Sequence, residues 1–201
     1  MTIAITGLGA VSCLGRGARA IGDALAAGRD GITEMERIDL RAIHPVRLAG
    51  WMRAAWEAGE PADAEEWAIE AAREAWAHAG LDRAAIDPAR IAVVAGTTDG
   101  EHSAIAQLAD RVASALGAGG PRWTISTACA SSANALGLGR DLILAGDADV
   151  VIAGGAERLR PEMFAGFAAL GVLSAEPCAP FGEVSGTTLG EGAGFVVLES
   201  P

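Results

Sequence analysis

WTISTACASSANALGLGRDLILAGDADVVIAGG, residues 123–155, holds a β-branched run, a cysteine among small residues, a helix-like apolar stretch and a second β-branched run that ends in two glycines. WTIST (123–127) reads as a strand, ASSANALGLGRDLILAG (130–146) as a helix stopped by Gly146, and ADVVIAGG (148–155) as a buried strand. A strand that returns through a helix to a second strand builds a parallel sheet with a right-handed crossover. Functional residues then gather at the carboxyl ends of the strands. Cys129 falls at such an end.

The alternation continues outward in both directions. TIAITGL (2–8) and RIAVVAGT (90–97) are further short buried strands, the second closed by Gly96. ADAEEWAIEAAREAWAHAG (62–80) is an amphipathic helix: Asp63 can cap it with Glu66 three residues on, Ile69, Ala72, Trp76 and Ala79 share a stripe, and Gly80 stops it. SAIAQLADRVASALGAGG (103–120) repeats the pattern, Pro161 suits the first turn of a helix through EMFAGFAAL, and FVVLE (195–199) is a closing strand. The fold class is therefore α/β, with a mostly parallel sheet flanked by helices. The helix after Cys129 carries Ala, Leu, Ile or Gly on nearly every side until Arg140, which predicts cover all round. The linker-like stretch WEAGEPADAEE (56–66) is short and leads into a capped helix, so residues 1–201 read as one domain.

Composition narrows the function classes. A chain of 201 residues, 51% hydrophobic with mean hydropathy +0.30, suits a globular domain with its own core. All fifteen basic residues are arginine, and a net charge of -11 opposes a phosphate-tracking surface, so no nucleic-acid partner is expected. No apolar run reaches the roughly 18 residues of a membrane span, and the start lacks a charged region before its apolar stretch, so neither membrane insertion nor export is expected. Cys13, Cys129 and Cys178 are too few and scattered for a disulfide framework, and no Cys/His spacing suits zinc; a reducing cytoplasm is the expected compartment.

A thiol at a helix amino terminus meets unpaired N–H groups and the positive end of the macrodipole, which favour the thiolate. The small neighbours Ala128, Ala130, Ser131 and Ser132 leave room above the Cys129 sulfur for a carbonyl, and a sharp turn presents backbone N–H groups to a developing oxyanion. The plainer alternative is a small apolar filler, the reading given to Cys13 and Cys178. TGLGAVSCLG (6–15) has two glycines of a dinucleotide loop, but Ser12 stands at the third and no clear helix follows.

Four stretches in order, ITGLGAVSCLG (5–15), STACASSANAL (126–136), DVVIAGGAERLRPEMFAGFAALGVLS (149–174) and GEGAGFVVLE (190–199), resemble the elongating β-ketoacyl-[acyl-carrier-protein] synthases of the thiolase superfamily. The resemblance implies a thiolase-like fold in which residues 1–201 form the N-terminal half-domain, one half of the αβαβα layered whole. It implies Cys129 as the nucleophile that takes an acyl group as a thioester for decarboxylative Claisen condensation, with its own N–H as one oxyanion donor. Ala130 would lie at the acyl group, and Met163, Phe164 and Phe167 near the acyl tunnel. Glu191 of GEGAG recurs in the family, and an acid beside three glycines is equally a structural hydrogen-bond acceptor. No cofactor is implied.

The family's condensation uses two histidines and a lysine from the second half of the fold, in motifs resembling HGTGT and GH, and neither motif occurs here. His44, His78 and His102 read as surface or core residues, and the stretch between GTTDGEHS (96–103) and Cys129 is short for the family. The implied partners are an acyl carrier protein, usually acidic, for which Arg158 and Arg160 are docking candidates, and a ketosynthase subunit or C-terminal half. That half would bring the histidines and cover the apolar helix. The alternative is a chain-length-factor-like subunit of a ketosynthase heterodimer, which shapes a pocket without reacting.

Overall fold

The computed structural model describes residues 2–41, 43, 45, 47–82, 85–98 and 107–200. His44, His102 and the start of the helix predicted from residue 103 lie outside the described residues. In chain order the elements are β1 (Ala4–Ser12), β2 (Gly15–Arg16), α1 (Ala18–Ala26), β3 (Ile32–Glu34), β4 (Leu48–Gly50), α2 (Arg53–Glu57), α3 (Ala64–Ala79) and β5 (Ile91–Gly96). They continue with α4 (Leu108–Leu116), β6 (Arg122–Ile125), α5 (Ser131–Ala145), β7 (Val150–Glu157), α6 (Pro161–Ala169), β8 (Leu189–Gly190) and β9 (Gly192–Glu199).

The helix ends follow their local chemistry. The Asp63 carboxylate accepts from the N–H groups of Glu65 and Glu66 at 2.9 and 3.3 Å, so α3 begins one residue later. Gly80, Gly117 and Gly146 end α3, α4 and α5 in the left-handed conformation that glycine adopts without strain. Pro161 sits in the first turn of α6, where its missing N–H removes no helix bond.

Six strands form the main sheet in the order β2-β1-β9-β7-β5-β6. β5 pairs in parallel with β6 and with β7, while β9 lies antiparallel between β7 and β1. β1, β7, β5 and β6 thus share one direction and β9 opposes them, so the sheet is mixed where the alternation predicted it mostly parallel. The cause is the route into β9, which enters at Gly192 opposite Glu157, where β7 ends. No helix carries the chain back to the far edge there, and a strand entering at that end must run antiparallel. β1 continues to Ser12 and turns into a hairpin with β2, so Gly7 and Gly9 lie within one strand and Gly15 in the next; a helix, α1, does follow, but only at Ala18, after the hairpin. A dinucleotide loop requires the glycines themselves to form the turn from a strand directly into a helix.

One face of the sheet packs on α3 and α4 through Val11, Ile91, Val93, Val150, Ile152, Phe195 and Val197. The other packs on α5 through Ala92, Val94, Val151, Ala153 and Leu198. Cover of α5 on all sides is not found within this chain: Ser131, Ala135, Gly139, Leu142 and Ile143 are buried, whereas Leu136 and Leu144 are exposed on its outer side. Ile5, opposite Leu198, Leu8, opposite Val196, and Trp123, beside Val94, are also exposed on that side of the sheet. The reason is that the chain supplies one layer of helix there and no second layer above it.

A smaller three-stranded sheet, β3-β4-β8, has no counterpart in the sequence reading. It packs with α6 around Met35, Leu40, Ala49, Trp51, Leu159, Phe164 and Leu189. Strands of two or three residues are too short to carry a period, which is why the sequence did not show them. No helix among the described residues is long and apolar enough to cross a membrane.

Candidate active site

Cys129 lies between β6 and α5, exposed, two residues before the first residue of the helix. Its neighbour Ala130 is the N-cap of α5 and no side chain caps that end. The start of α5 thus has no side-chain acceptor for its N–H groups, in contrast with the Asp63-capped start of α3. Ala128, just before Cys129, is left-handed with φ 53°. That conformation costs a non-glycine residue of order 1–3 kcal/mol and persists only when its surroundings hold it.

Several contacts hold it. The Ser131 Oγ accepts from the Thr127 N–H at 2.9 Å and its hydroxyl donates to the Ala128 carbonyl oxygen at 2.6 Å. The Ser131 N–H donates to the same carbonyl at 3.0 Å, and the Asn134 side chain donates to Thr127 Oγ1 at 2.7 Å. Beneath the turn, Gly96 and Gly155 are register partners at the carboxyl ends of β5 and β7. A Cβ on Gly96 would fall 2.5 Å from the Ser131 carbonyl carbon, and one on Gly155 would fall 2.2 Å from Ser132 Oγ. The two glycines therefore form the seat on which the first turn of α5 rests. In the sequence they read only as strand ends.

In front of this turn is an open cavity of about 370 Å³, lined among others by Thr98, Cys129, Ser132, Glu157, Glu191 and Ala193. Glu157 Oε2 accepts from both the N–H and the hydroxyl of Thr98, at 2.8 and 2.5 Å. Glu191 lies in the cavity wall, but its side chain has no exposed surface and both oxygens are engaged. Oε1 accepts from Arg37 Nη1 at 2.7 Å and the Met52 N–H at 2.9 Å; Oε2 accepts from Arg37 Nη2 at 2.6 Å and the Leu159 N–H at 3.0 Å. Arg37, far away in sequence and missed there, thus ties β8–β9 to the segment before α6.

The residues expected at the acyl tunnel divide. Phe164 is buried in the small third core, with Met163 and Phe167 packed against it partly buried, and none of the three lines the Cys129 cavity. Met163 lines a second cavity of about 400 Å³ with Thr98, Arg160 and Glu162, so Thr98 forms a wall common to both. Arg158 is part-buried and donates to the Ala62 carbonyl at 2.9 Å, while Arg160 is the N-cap of α6. His78 accepts from the Leu8 N–H at 3.2 Å, away from the site; no histidine among the described residues lines the cavity. Cys13 is half-buried, and burial, followed by the Asp30 and Glu191 carboxylates, pushes its thiol above the ordinary range. Cys178 is exposed and is not a core filler.

A mixed sheet with helices on both faces and a cysteine at the strand-to-helix turn is the arrangement of a thiolase-like half-fold. The chain belongs to the β-ketoacyl synthase family: the profile of its N-terminal domain matches residues 1–111 and 100–201. The 3-oxoacyl-[acyl-carrier-protein] synthase 2 of Staphylococcus aureus (strain COL) is 34% identical over 239 residues, covering 98% of this chain and 57% of that protein. The ishigamide ketosynthase/chain length factor superposes with a TM-score of 0.86 at 27% identity, covering 98% of this chain and 58% of that one. A type II polyketide ketosynthase solved in complex with its acyl-carrier protein, bound to the hexaketide, superposes with a TM-score of 0.84 at 26% identity, covering 98% and 58%. The chain therefore spans little more than half the length of these relatives. The alignment to the Staphylococcus protein is longer than the 201 residues here, so that protein carries residues with no counterpart in this chain.

Proposed function

We propose that this chain is the acyl-accepting half of a β-ketoacyl-[acyl-carrier-protein] synthase. The observation that carries the reading is an exposed Cys129 at an uncapped helix start, held by a left-handed Ala128 and opening on a cavity. The Cys129 thiolate attacks the carbonyl carbon of an acyl thioester. The C–S bond to the carrier breaks, the carrier thiol leaves with a proton from solvent, and the acyl group stays on the Cys129 sulfur. The Cys129 N–H receives the transient oxyanion. Ala130, with no side chain beyond Cβ, leaves the acyl carbon unobstructed. Met163 and Phe167 are placed along the path of the chain, a role supported by the cavity that Met163 shares with Thr98. Phe164 shapes that wall from the core, and Glu191 acts as the acceptor that fixes the GEGAG turn.

Decarboxylative condensation on the acyl-enzyme needs a C-terminal half or partner subunit that supplies histidines. The exposed Ile5, Leu8, Trp123, Leu136 and Leu144 on the α5 side, together with the share of the relatives that the chain spans, support that partner. The acyl donor is an acyl carrier protein, approached on the side of Arg160. The competing reading is a chain-length-factor-like subunit that does not react; an exposed thiol at the turn favours the acyl acceptor.

Incubation with an acyl thioester followed by intact-mass measurement separates the two. The expected result is one acyl mass added to the chain and absent from Cys129→Ala. No adduct, with the chain alone or mixed with the C-terminal half of a relative, overturns the proposal.

A further inference from the structure

Ser131 is 3% exposed and its hydroxyl is committed on both sides, accepting from Thr127 N–H and donating to the Ala128 carbonyl. The Ala128 carbonyl and the Cys129 N–H belong to one planar trans peptide, so they point in opposite directions. Anchoring that carbonyl into the first turn of α5 therefore turns the Cys129 N–H away from the helix. The anchor cannot drift, because the Ser131 backbone rests against Gly96 with no room for even a methyl group between them. Without the hydroxyl the Ala128 carbonyl keeps only the Ser131 N–H at 3.0 Å, and Ala128 and its peptide gain freedom to rotate out of the left-handed conformation.

We propose that Ser131 is a positioning residue: through the Ala128–Cys129 peptide its hydroxyl aims the Cys129 N–H as an oxyanion donor. This rests on Cys129 being the nucleophile. The hydroxyl makes no hydrogen bond to the sulfur, and it contributes only where charge develops on a carbonyl oxygen. Acyl transfer passes through such an oxyanion, whereas displacement of iodide from iodoacetamide does not, so the two reactions of one thiol separate aiming from folding.

The experiment compares wild type, Ser131→Ala and Ser131→Thr for acylation of Cys129 by the hexanoyl thioester of N-acetylcysteamine and for its alkylation by iodoacetamide. Both are resolved by peptide mass, with the exposed Cys178 as internal reference. Ser131→Ala is expected to slow acylation by roughly tenfold, to leave alkylation unchanged, and to be rescued by Ser131→Thr. Equal acylation rates in wild type and Ser131→Ala, or a parallel fall in both reactions, overturn the positioning role while Cys129 stands as nucleophile. A wild-type chain that is alkylated but never acylated at Cys129 overturns the nucleophile reading and this inference with it. Should Ser131→Ala lose its melting transition, Ser131→Thr against Ser131→Val gives the same comparison, since those side chains share a shape and differ in the hydroxyl.

Discussion

Arg37 and Glu191, 154 residues apart, form a two-pronged ion pair in which both guanidinium ends meet both carboxylate oxygens. Arg37 also lies 5.9 Å over the ring of Trp51 and donates to the Leu159 carbonyl at 3.2 Å, so the pair joins β4, β8 and the start of α6. With the Glu191 side chain wholly buried and that of Arg37 15% exposed, removing either partner strands a charge in the interior.

Arg37→Ala and Glu191→Ala are each expected to lower unfolding free energy by about 3–5 kcal/mol in urea titrations. The double substitution should cost less than the two combined, because no unpaired charge then stays buried. A Glu191→Ala chain as stable as wild type would remove the fixing role assigned to this acid.

Gly155→Ala places a methyl group on Ser132 Oγ and within 2.5 Å of the Gly96 carbonyl oxygen, atoms of the turn and of the neighbouring strand. The expected loss is about 1–3 kcal/mol, read as a lowered melting temperature. Because the displaced element carries Cys129, acylation should fall as well. A variant that melts and acylates like wild type would show that the first turn of α5 does not need the glycine seat.

The Cys13 thiol has a raised pKa in the folded chain, chiefly from burial and then from Asp30. The folded state therefore keeps a proton that the unfolded state releases first as pH rises. The stability this group contributes is complete below the unfolded thiol pKa and is lost as pH climbs through the folded one. Urea midpoints measured from neutral to alkaline pH should decline less steeply in Cys13→Ala than in wild type. An unchanged slope would mean that Cys13 ionises alike in both states.

Leu136 and Leu144 project from α5 away from the sheet, on the side where Ile5, Leu8 and Trp123 are also bare. Light scattering of the chain alone should report self-association, and Leu136→Glu with Leu144→Glu should shift it toward monomer with little change in melting, since neither side chain is in the core. A wild-type chain that is monodisperse as a monomer would remove the need for a covering half.

Much of the architecture was legible because its signals are local. Asp63 and Gly80 bound α3, Pro161 opens α6, and the apolar runs at 91–96 and 150–155 are long enough to declare buried strands. Cys129 was legible too, since a β-branched run followed by small residues and a helical pattern already marks a strand-to-helix junction. The direction of β9 was not, because an isolated strand carries no sign of which way its neighbours run. Nor was the β3-β4-β8 sheet, whose strands are shorter than any period.

The sequence by itself determined that an α/β chain of this family presents a cysteine where a strand gives way to a helix. Only the tertiary structure decided how that cysteine is held. The left-handed Ala128, the Ser131 hydroxyl that fixes it and the paired Gly96 and Gly155 beneath it come from three separate strand ends. Arg37 meets Glu191 only once two sheets are packed. Local propensity is written along the chain, whereas the aim of one peptide group depends on contacts between segments that are adjacent only after folding.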